Sequence, residues 1–123
     1  MIIEILIRPP DDVTFKRIFG LVRDEDMFIS PVQTAELSDW CMKNGIDPKE
    51  RISKVLRMAN QVDLTEEICM EAARLKQRYR GKGAARFSLM DGLILASAMS
   101  LGDDLLTFDR VFRYCEGAVV LDR

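Results

Sequence analysis

The chain has 123 residues, the length of a single domain, and its 18 basic and 20 acidic residues give a formal net charge of −2, which excludes a polycation. Apolar residues make up 48% and charged residues 31%, the balance of a globular rather than a disordered protein. No apolar run approaches the roughly 20 residues that span a bilayer, and residues 1–7 lack the marks of a secretory signal, so we expect a cytoplasmic protein.

Five helices are predicted from their start signals. Each begins at a serine, threonine or aspartate that can cap the first turn, and two of these caps are followed by proline at the first helical position. In chain order, the predicted helices cover about 11–23, 31–42, 48–60, 65–80 and 88–102.

Short apolar runs predict the strands. They lie at about 27–29, 105–107 and 118–121, with a weaker candidate at 61–64. Runs of this kind fit parallel strands that are covered on both faces. Strands that alternate with helices predict an α/β fold, a three-layer α/β/α sandwich around a parallel sheet, formed by one domain over 1–123. Ligands of such sheets bind outside the carboxyl ends of the strands.

The sequence contains no histidine, which excludes Ser-His-Asp and Cys-His triads and zinc sites that need imidazole. Three cysteines, Cys41, Cys69 and Cys115, are far apart in the sequence and predict buried thiols in a reducing compartment. Any chemistry must therefore come from carboxylates, hydroxyls, lysines and arginines, or from a metal ion held by oxygen.

Three carboxylates are predicted at junctions between strands and helices. Asp109 follows the strand at 105–107, Glu36 lies just inside the helix after the strand at 27–29, and Asp91 lies in the first turn of an alanine-rich helix. If the strands are parallel, all three can point to one end of the sheet, where Mg²⁺ or Mn²⁺ would relieve their mutual repulsion. Each acid also has a structural alternative: a capping box for Asp91, the N-cap of a short helix for Asp109, and a solvated helix position for Glu36.

A basic stretch at 74–86 contains six cations and no acid. Two interpretations are consistent with it, a solvated helix end whose cations suit the helix dipole and a phosphate-contacting edge. Trp40, Tyr79 and Phe108 could stack on a base, but positions in the core or an interface are the more common role of such side chains.

Segments 87–98, 101–102 and 105–112 resemble the C-terminal half of a PIN domain, with its serine-x-x-aspartate helix start and its strand ending in threonine-x-aspartate-x-x-phenylalanine. Residues 28–37 resemble the second strand of that family and the acid-bearing helix after it. The resemblance implies an α/β/α sandwich and an Mg²⁺- or Mn²⁺-dependent ribonuclease that hydrolyses RNA phosphodiesters. Many small members are toxins of the VapC kind, so it also implies an antitoxin partner and a homodimer.

Matched by motif, the resemblance makes Glu36, Asp91 and Asp109 catalytic metal ligands. Basic residues beside them are predicted to position the RNA backbone, although a solvated position is an equal alternative for Arg110. The predicted substrate-binding residues are Thr107, Arg110, Arg86 and Lys82.

The N-terminus departs from the family pattern. The first strand of the family ends in an aspartate, and residues 1–7 look like the helix that follows this strand. The preferred interpretation is a start site set too late, so that the strand and its acid are missing. A truncated or divergent member is the second option, and a strand at 2–7 with Glu4 as a substitute acid is the third.

The missing acid has consequences for function. It supports an alternative in which the chain is a non-catalytic PIN-like module that binds a protein or RNA. A sheet without its first strand also predicts self-association through the exposed edge. A response-regulator-like domain is disfavoured, because no paired aspartates end a first strand.

Overall fold

The structure is a computed structural model, and it describes residues 2–3, 27–107 and 109–121. The helix predicted at 11–23, the candidate acid Glu4 and the aromatic Phe108 lie outside these residues. Within the described part of the chain, no helix has the length and apolar character needed to cross a membrane.

Five short strands form one parallel sheet with the spatial order β3-β2-β1-β4-β5. The prediction of a parallel sheet between helices is therefore confirmed. The strands are β1 (Ile2–Ile3), β2 (Phe28–Ile29), β3 (Asn60–Gln61), β4 (Leu105–Thr107) and β5 (Ala118–Val120).

The central position of the sheet belongs to β1. Ile2 pairs with Phe28 of β2 on one side and with Leu105 of β4 on the other, and Ile3 pairs with Leu106. The interpretation of residues 1–7 as the start of a helix is therefore wrong for Ile2 and Ile3, and the strand alternative is right for them. Because the sheet has a central strand, the argument for self-association through a missing strand no longer holds.

The helices begin where the capping residues predict. They are α1 (Pro31–Lys43), α2 (Pro48–Met58), α3 (Glu66–Gly81) and α4 (Leu89–Ser100), followed by a 3₁₀ helix (Arg110–Phe112). Asp47 Oδ1 accepts a hydrogen bond from Lys49 N at 3.0 Å, and Thr65 Oγ1 accepts one from Ile68 N at 3.2 Å. The weak strand predicted at 61–64 is instead at Asn60–Gln61, because these two residues are the ones that pair with β2.

The main core lies where α3 and α4 pack together over β4. It includes Leu75 of α3, Leu95 of α4 and Leu105 of β4, all fully buried. Phe87 joins this core to the segment after β4, because the centroid of its ring lies 5.8 Å from the centroid of the Phe112 ring. The core thereby fixes the loop before α4 and the 3₁₀ helix relative to each other.

Gly92 is where α4 comes closest to α3. A Cβ atom at this position would lie 2.4 Å from the backbone oxygen of Ala72. Because Gly92 has no side chain, the two helices can make this contact. Gly92 directly follows Asp91 in the sequence.

The cysteines only partly follow the prediction. All three are free thiols; Cys41 and Cys115 are buried as expected, whereas Cys69 is exposed. Cys69 lies on α3, whose buried residues are Ile68, Ala72 and Leu75, together with Tyr79. Cys69 therefore projects from a face of the helix that does not contact the core.

Candidate functional site

Glu36, Asp91 and Asp109 interact electrostatically. Burial raises the pKa of Glu36, and the charges of Asp91 and Asp109 raise it further. Burial is also the main cause that raises the pKa of Asp91; the charge of Asp109 adds to it, and hydrogen bonds to Ser88 oppose it. The structure thus brings the three predicted acids near enough to one another for their charges to repel, and we refer to them as the acidic site.

Asp91 serves as a helix cap and as a member of the acidic site. Its Oδ2 atom accepts a hydrogen bond from Ser88 N at 2.8 Å, and its own N–H donates to Ser88 Oγ at 3.1 Å. The capping-box alternative is therefore right as a description of local structure. The cap bond engages Oδ2, so that Oδ1 is the oxygen with which Asp91 could bind a further group.

Asp109, which follows β4, likewise caps a helix and belongs to the acidic site. Its Oδ1 atom accepts a hydrogen bond from Val111 N at 2.9 Å, which makes Asp109 the N-cap of the 3₁₀ helix. Its N–H donates to Thr107 Oγ1 at 2.9 Å, and Thr107 is fully buried at the end of β4. Thr107 therefore orients the turn that carries Asp109, and its contact with a substrate stays a prediction.

Glu36 lies in the second turn of α1, after β2, and it is half-buried. Glu36 is therefore only partly solvated on α1. A half-buried carboxylate beside two others has no evident packing role. Of the three acids, Glu36 is therefore the one whose position local structure explains least.

A pocket of about 520 Å³ adjoins Asp91 and Asp109. The small residues at 83–85 form one part of its lining, and Arg86 and Arg110 contribute positive charge. Both arginines were predicted as substrate contacts, and both are exposed. Lys82, the third predicted cation, is not among the lining residues, and its ammonium lies 6.0 Å from the centroid of the Tyr79 ring.

The basic stretch has mixed roles. Arg80 Nε donates a hydrogen bond to the carbonyl oxygen of Phe87 at 2.7 Å, which fastens the loop beside the pocket. Arg74 pairs with Glu71 of the same helix at 2.7 Å. Tyr79 is buried and its hydroxyl accepts a hydrogen bond from Glu116 N at 3.3 Å, so the core interpretation is right for this aromatic residue.

Two neighbours of the acidic site were missed by sequence reasoning. Burial raises the pKa of the Cys115 thiol to about 11, and the charge of Asp91 adds to this rise. Cys115 is therefore a neutral thiol at physiological pH. Tyr114 lines the pocket and is exposed. The sequence carried no local signal for Tyr114, because its place at the pocket depends on how separate segments pack.

Among the described residues, no group of three aspartate, glutamate or cysteine side chains is arranged to hold a metal ion. The chemistry of the donor set nevertheless suits a hard divalent cation. Oxygen ligands are what Mg²⁺ and Mn²⁺ prefer, and a carboxylate whose pKa is raised by neighbouring carboxylates, as that of Glu36 is, gains from a nearby positive charge. Glu36, Asp91 and Asp109 therefore have the chemistry of ligands for such an ion, but in this structure they do not have the arrangement.

The chain belongs to the PIN-domain family, whose family model matches residues 1–117. Proteins of this family generally use divalent metal ions. No curated protein sequence gives a significant match.

Solved structures of toxin–antitoxin complexes share the fold. A chain of a toxin–antitoxin complex from Klebsiella pneumoniae is 20% identical, with a TM-score of 0.73 over 97% of this chain and 95% of that one. A chain of VapBC2 from Rickettsia felis, bound to a DNA fragment from its promoter, is 17% identical, with a TM-score of 0.71 over 100% of this chain and 99% of that one. At these identities the similarity establishes the α/β PIN fold.

Proposed function

We propose that the protein is a metal-dependent endoribonuclease that hydrolyses RNA phosphodiesters at the acidic site. The observation that carries this proposal is that the charges of Asp91 and Asp109 raise the pKa of the half-buried Glu36, although the three acids come from separate segments of the chain. Perturbed acids gathered at one place are more typical of a functional site than of a structural one. Membership of the PIN family adds weight to nuclease chemistry.

Glu36, Asp91 and Asp109 would hold Mg²⁺ or Mn²⁺. When bound, such an ion supplies positive charge beside the phosphate and makes a water molecule more acidic. Arg86 and Arg110 would bind phosphates of the RNA on either side of the reacting bond, because both line the adjoining pocket. Thr107 would act indirectly, through the turn that holds Asp109.

Glu4 is the candidate for a fourth acid. It lies outside the described residues, and the sequence places it directly after β1, the central strand. Ligands of parallel sheets bind outside the carboxyl ends of strands, which is the reason to include Glu4 in mutational tests. It would then substitute for the aspartate that ends the first strand in the family pattern.

The cellular role proposed is that of the toxin in a toxin–antitoxin pair. The support comes from the solved toxin–antitoxin complexes, whose chains share the fold along nearly their whole length. An antitoxin protein is the expected partner, a homodimer the expected assembly, and the cytoplasm, where RNA is accessible, the expected location.

The proposal is tested by incubating the protein with a labelled single-stranded RNA. We expect cleavage with Mg²⁺ or Mn²⁺, arrest on addition of EDTA, and reduced cleavage by Glu4→Gln. Asp104→Asn is the matched control, because this exposed acid precedes β4 and therefore lies at the opposite end of the strand from Asp109.

A non-catalytic RNA- or protein-binding module is the alternative function. It is favoured by the finding that the described residues include no three-carboxylate group arranged to hold a metal. RNA binding without metal-dependent cleavage, at any Mn²⁺ concentration up to the millimolar range, would select this alternative.

A further inference from the structure

Tyr114 is an exposed aromatic side chain at the pocket. It follows the 3₁₀ helix, and 63% of its surface is accessible, whereas Phe112 at the end of that helix is fully buried. Tyr114 therefore does not serve the core. It lines the same pocket as Asp91 and Asp109, so its ring is presented beside the acidic site.

The charges around Tyr114 suit a nucleotide. The guanidinium carbon of Arg113 lies 5.7 Å from the centroid of the Tyr114 ring, within cation–π range. Arg86 and Arg110 line the pocket with it. An aromatic ring accompanied by arginines is the combination with which proteins bind single-stranded nucleic acids, because the ring stacks on a base and the cations follow the backbone.

The pocket has the size for a base. Its volume of about 520 Å³ lies within the range of about 300–1,000 Å³ typical of small-molecule sites. The lining at 83–85 consists of glycine and alanine, which leaves space for a planar group. The loop is also held in place, since Ala84 N donates to the carbonyl oxygen of Tyr79 at 2.9 Å.

We propose that Tyr114 stacks on an unpaired base next to the reacting phosphodiester, while Arg86 and Arg110 bind the adjacent phosphates. The proposal rests on the proposed ribonuclease function and adds to it a residue that positions the RNA at the same site. Stacking tolerates every base, because each has an aromatic face. A base inside a duplex has both faces covered by its neighbours and cannot occupy this position.

The test measures binding apart from cleavage. A fluorescently labelled single-stranded RNA is titrated in EDTA with the wild type, Tyr114→Ala and Tyr114→Phe. Tyr114→Ala should weaken binding about tenfold, which is the size of effect expected for one lost base stack, and Tyr114→Phe should bind within about twofold of the wild type. Met42→Ala is the matched control, because Met42 is 68% exposed on α1 and is not a lining residue of the pocket. It should bind as the wild type does.

A set of RNAs that each lack a single base locates the contact. We expect one position in the RNA at which removal of the base weakens binding to the wild type but not to Tyr114→Ala. Equal affinities of the wild type and Tyr114→Ala, equal losses in Tyr114→Ala and Tyr114→Phe, or no RNA binding by the wild type would each overturn the proposal. So would a Tyr114→Ala variant that loses a dimer in sedimentation but keeps its RNA affinity, because the residue would then be a protein contact.

The outcomes separate this proposal from the ribonuclease function. If the wild type binds RNA through Tyr114 but never cleaves it, the stacking proposal stands and the ribonuclease function fails. If the wild type cleaves RNA and Tyr114→Ala cleaves and binds equally well, the function stands and the stacking proposal fails.

Discussion

Asp91→Asn is expected to abolish metal-dependent RNA cleavage without loss of the fold. Asparagine retains a side-chain oxygen that can accept the hydrogen bond from Ser88 N, so the cap of α4 survives. It lacks the negative charge with which Asp91 would bind a cation. Since even residues that only support metal ligands cost about 10–100-fold when replaced, a loss of at least 100-fold in cleavage rate is expected for a ligand.

The same variant should be more stable than the wild type in metal-free buffer at pH 7. The pKa of Asp91 is raised in the folded state, chiefly by burial, so the folded protein holds this proton more tightly than the unfolded chain does. Protonated Asp91 therefore stabilises the fold at pH values below the pKa that Asp91 has in the unfolded chain. This contribution is lost as the pH rises through the pKa that Asp91 has in the folded protein. At pH 7 the ionised Asp91 lowers stability, and asparagine removes this cost.

Thermal unfolding in EDTA measures the difference. Asp91→Asn should have the higher Tm at pH 7, and the gap should shrink towards about pH 4, where aspartate becomes protonated in the unfolded chain too. Asp104→Asn, an exposed control, should differ little from the wild type at either pH. If Asp91 acts only as a cap, asparagine should instead lower stability, by up to about 1 kcal/mol, and leave cleavage unchanged.

Gly92→Ala is expected to destabilise the fold strongly. In an ordinary helix this substitution gains about 1 kcal/mol, because alanine is the better helix former. Here the added Cβ would lie 2.4 Å from the oxygen, 3.1 Å from the carbonyl carbon and 3.2 Å from the Cα of Ala72. All three are backbone atoms of α3, so a whole helix must move. Overpacking of this kind costs about 1–3 kcal/mol or more.

Gly81→Ala is the control for Gly92→Ala. Gly81 is the last residue of α3, and a Cβ there has no neighbouring atom within 4 Å. It should be neutral or stabilising by up to about 1 kcal/mol. Urea unfolding of the two variants and the wild type measures the free energies of unfolding. A Gly92→Ala protein as stable as the wild type would mean that α3 and α4 do not approach as closely as the structure shows.

The helices were predictable because their signals are local. The caps at Asp47, Thr65 and Ser88 act within one turn, and each helix begins directly after its cap. The central strand was not predictable in the same way. Ile2 and Ile3 are β-branched and favour a strand, but so short a run does not decide its own state. Their pairing with β2 and β4, distant in the sequence, decides it.

The three acids could be singled out from the sequence because their motifs are short, and their role as metal ligands stays a prediction. The environment of these acids was not predictable. The half-burial of Glu36, and the effect of the Asp91 charge on the pKa of Cys115, depend on how separate elements pack. Tyr114 was missed for the same reason. The loop at 83–85 and the segment after the 3₁₀ helix form one pocket only once the core has brought Phe87 and Phe112 together.

The most direct test of the central claim is a calorimetric titration with Mn²⁺. The claim is that Glu36, Asp91 and Asp109 together form one metal site. We expect the wild type and Asp104→Asn to bind Mn²⁺ with the same affinity, and Glu36→Gln, Asp91→Asn and Asp109→Asn each to bind at least about tenfold more weakly, because each loses a charged oxygen ligand. Equal affinities in all five proteins, or no binding by the wild type, would contradict the account.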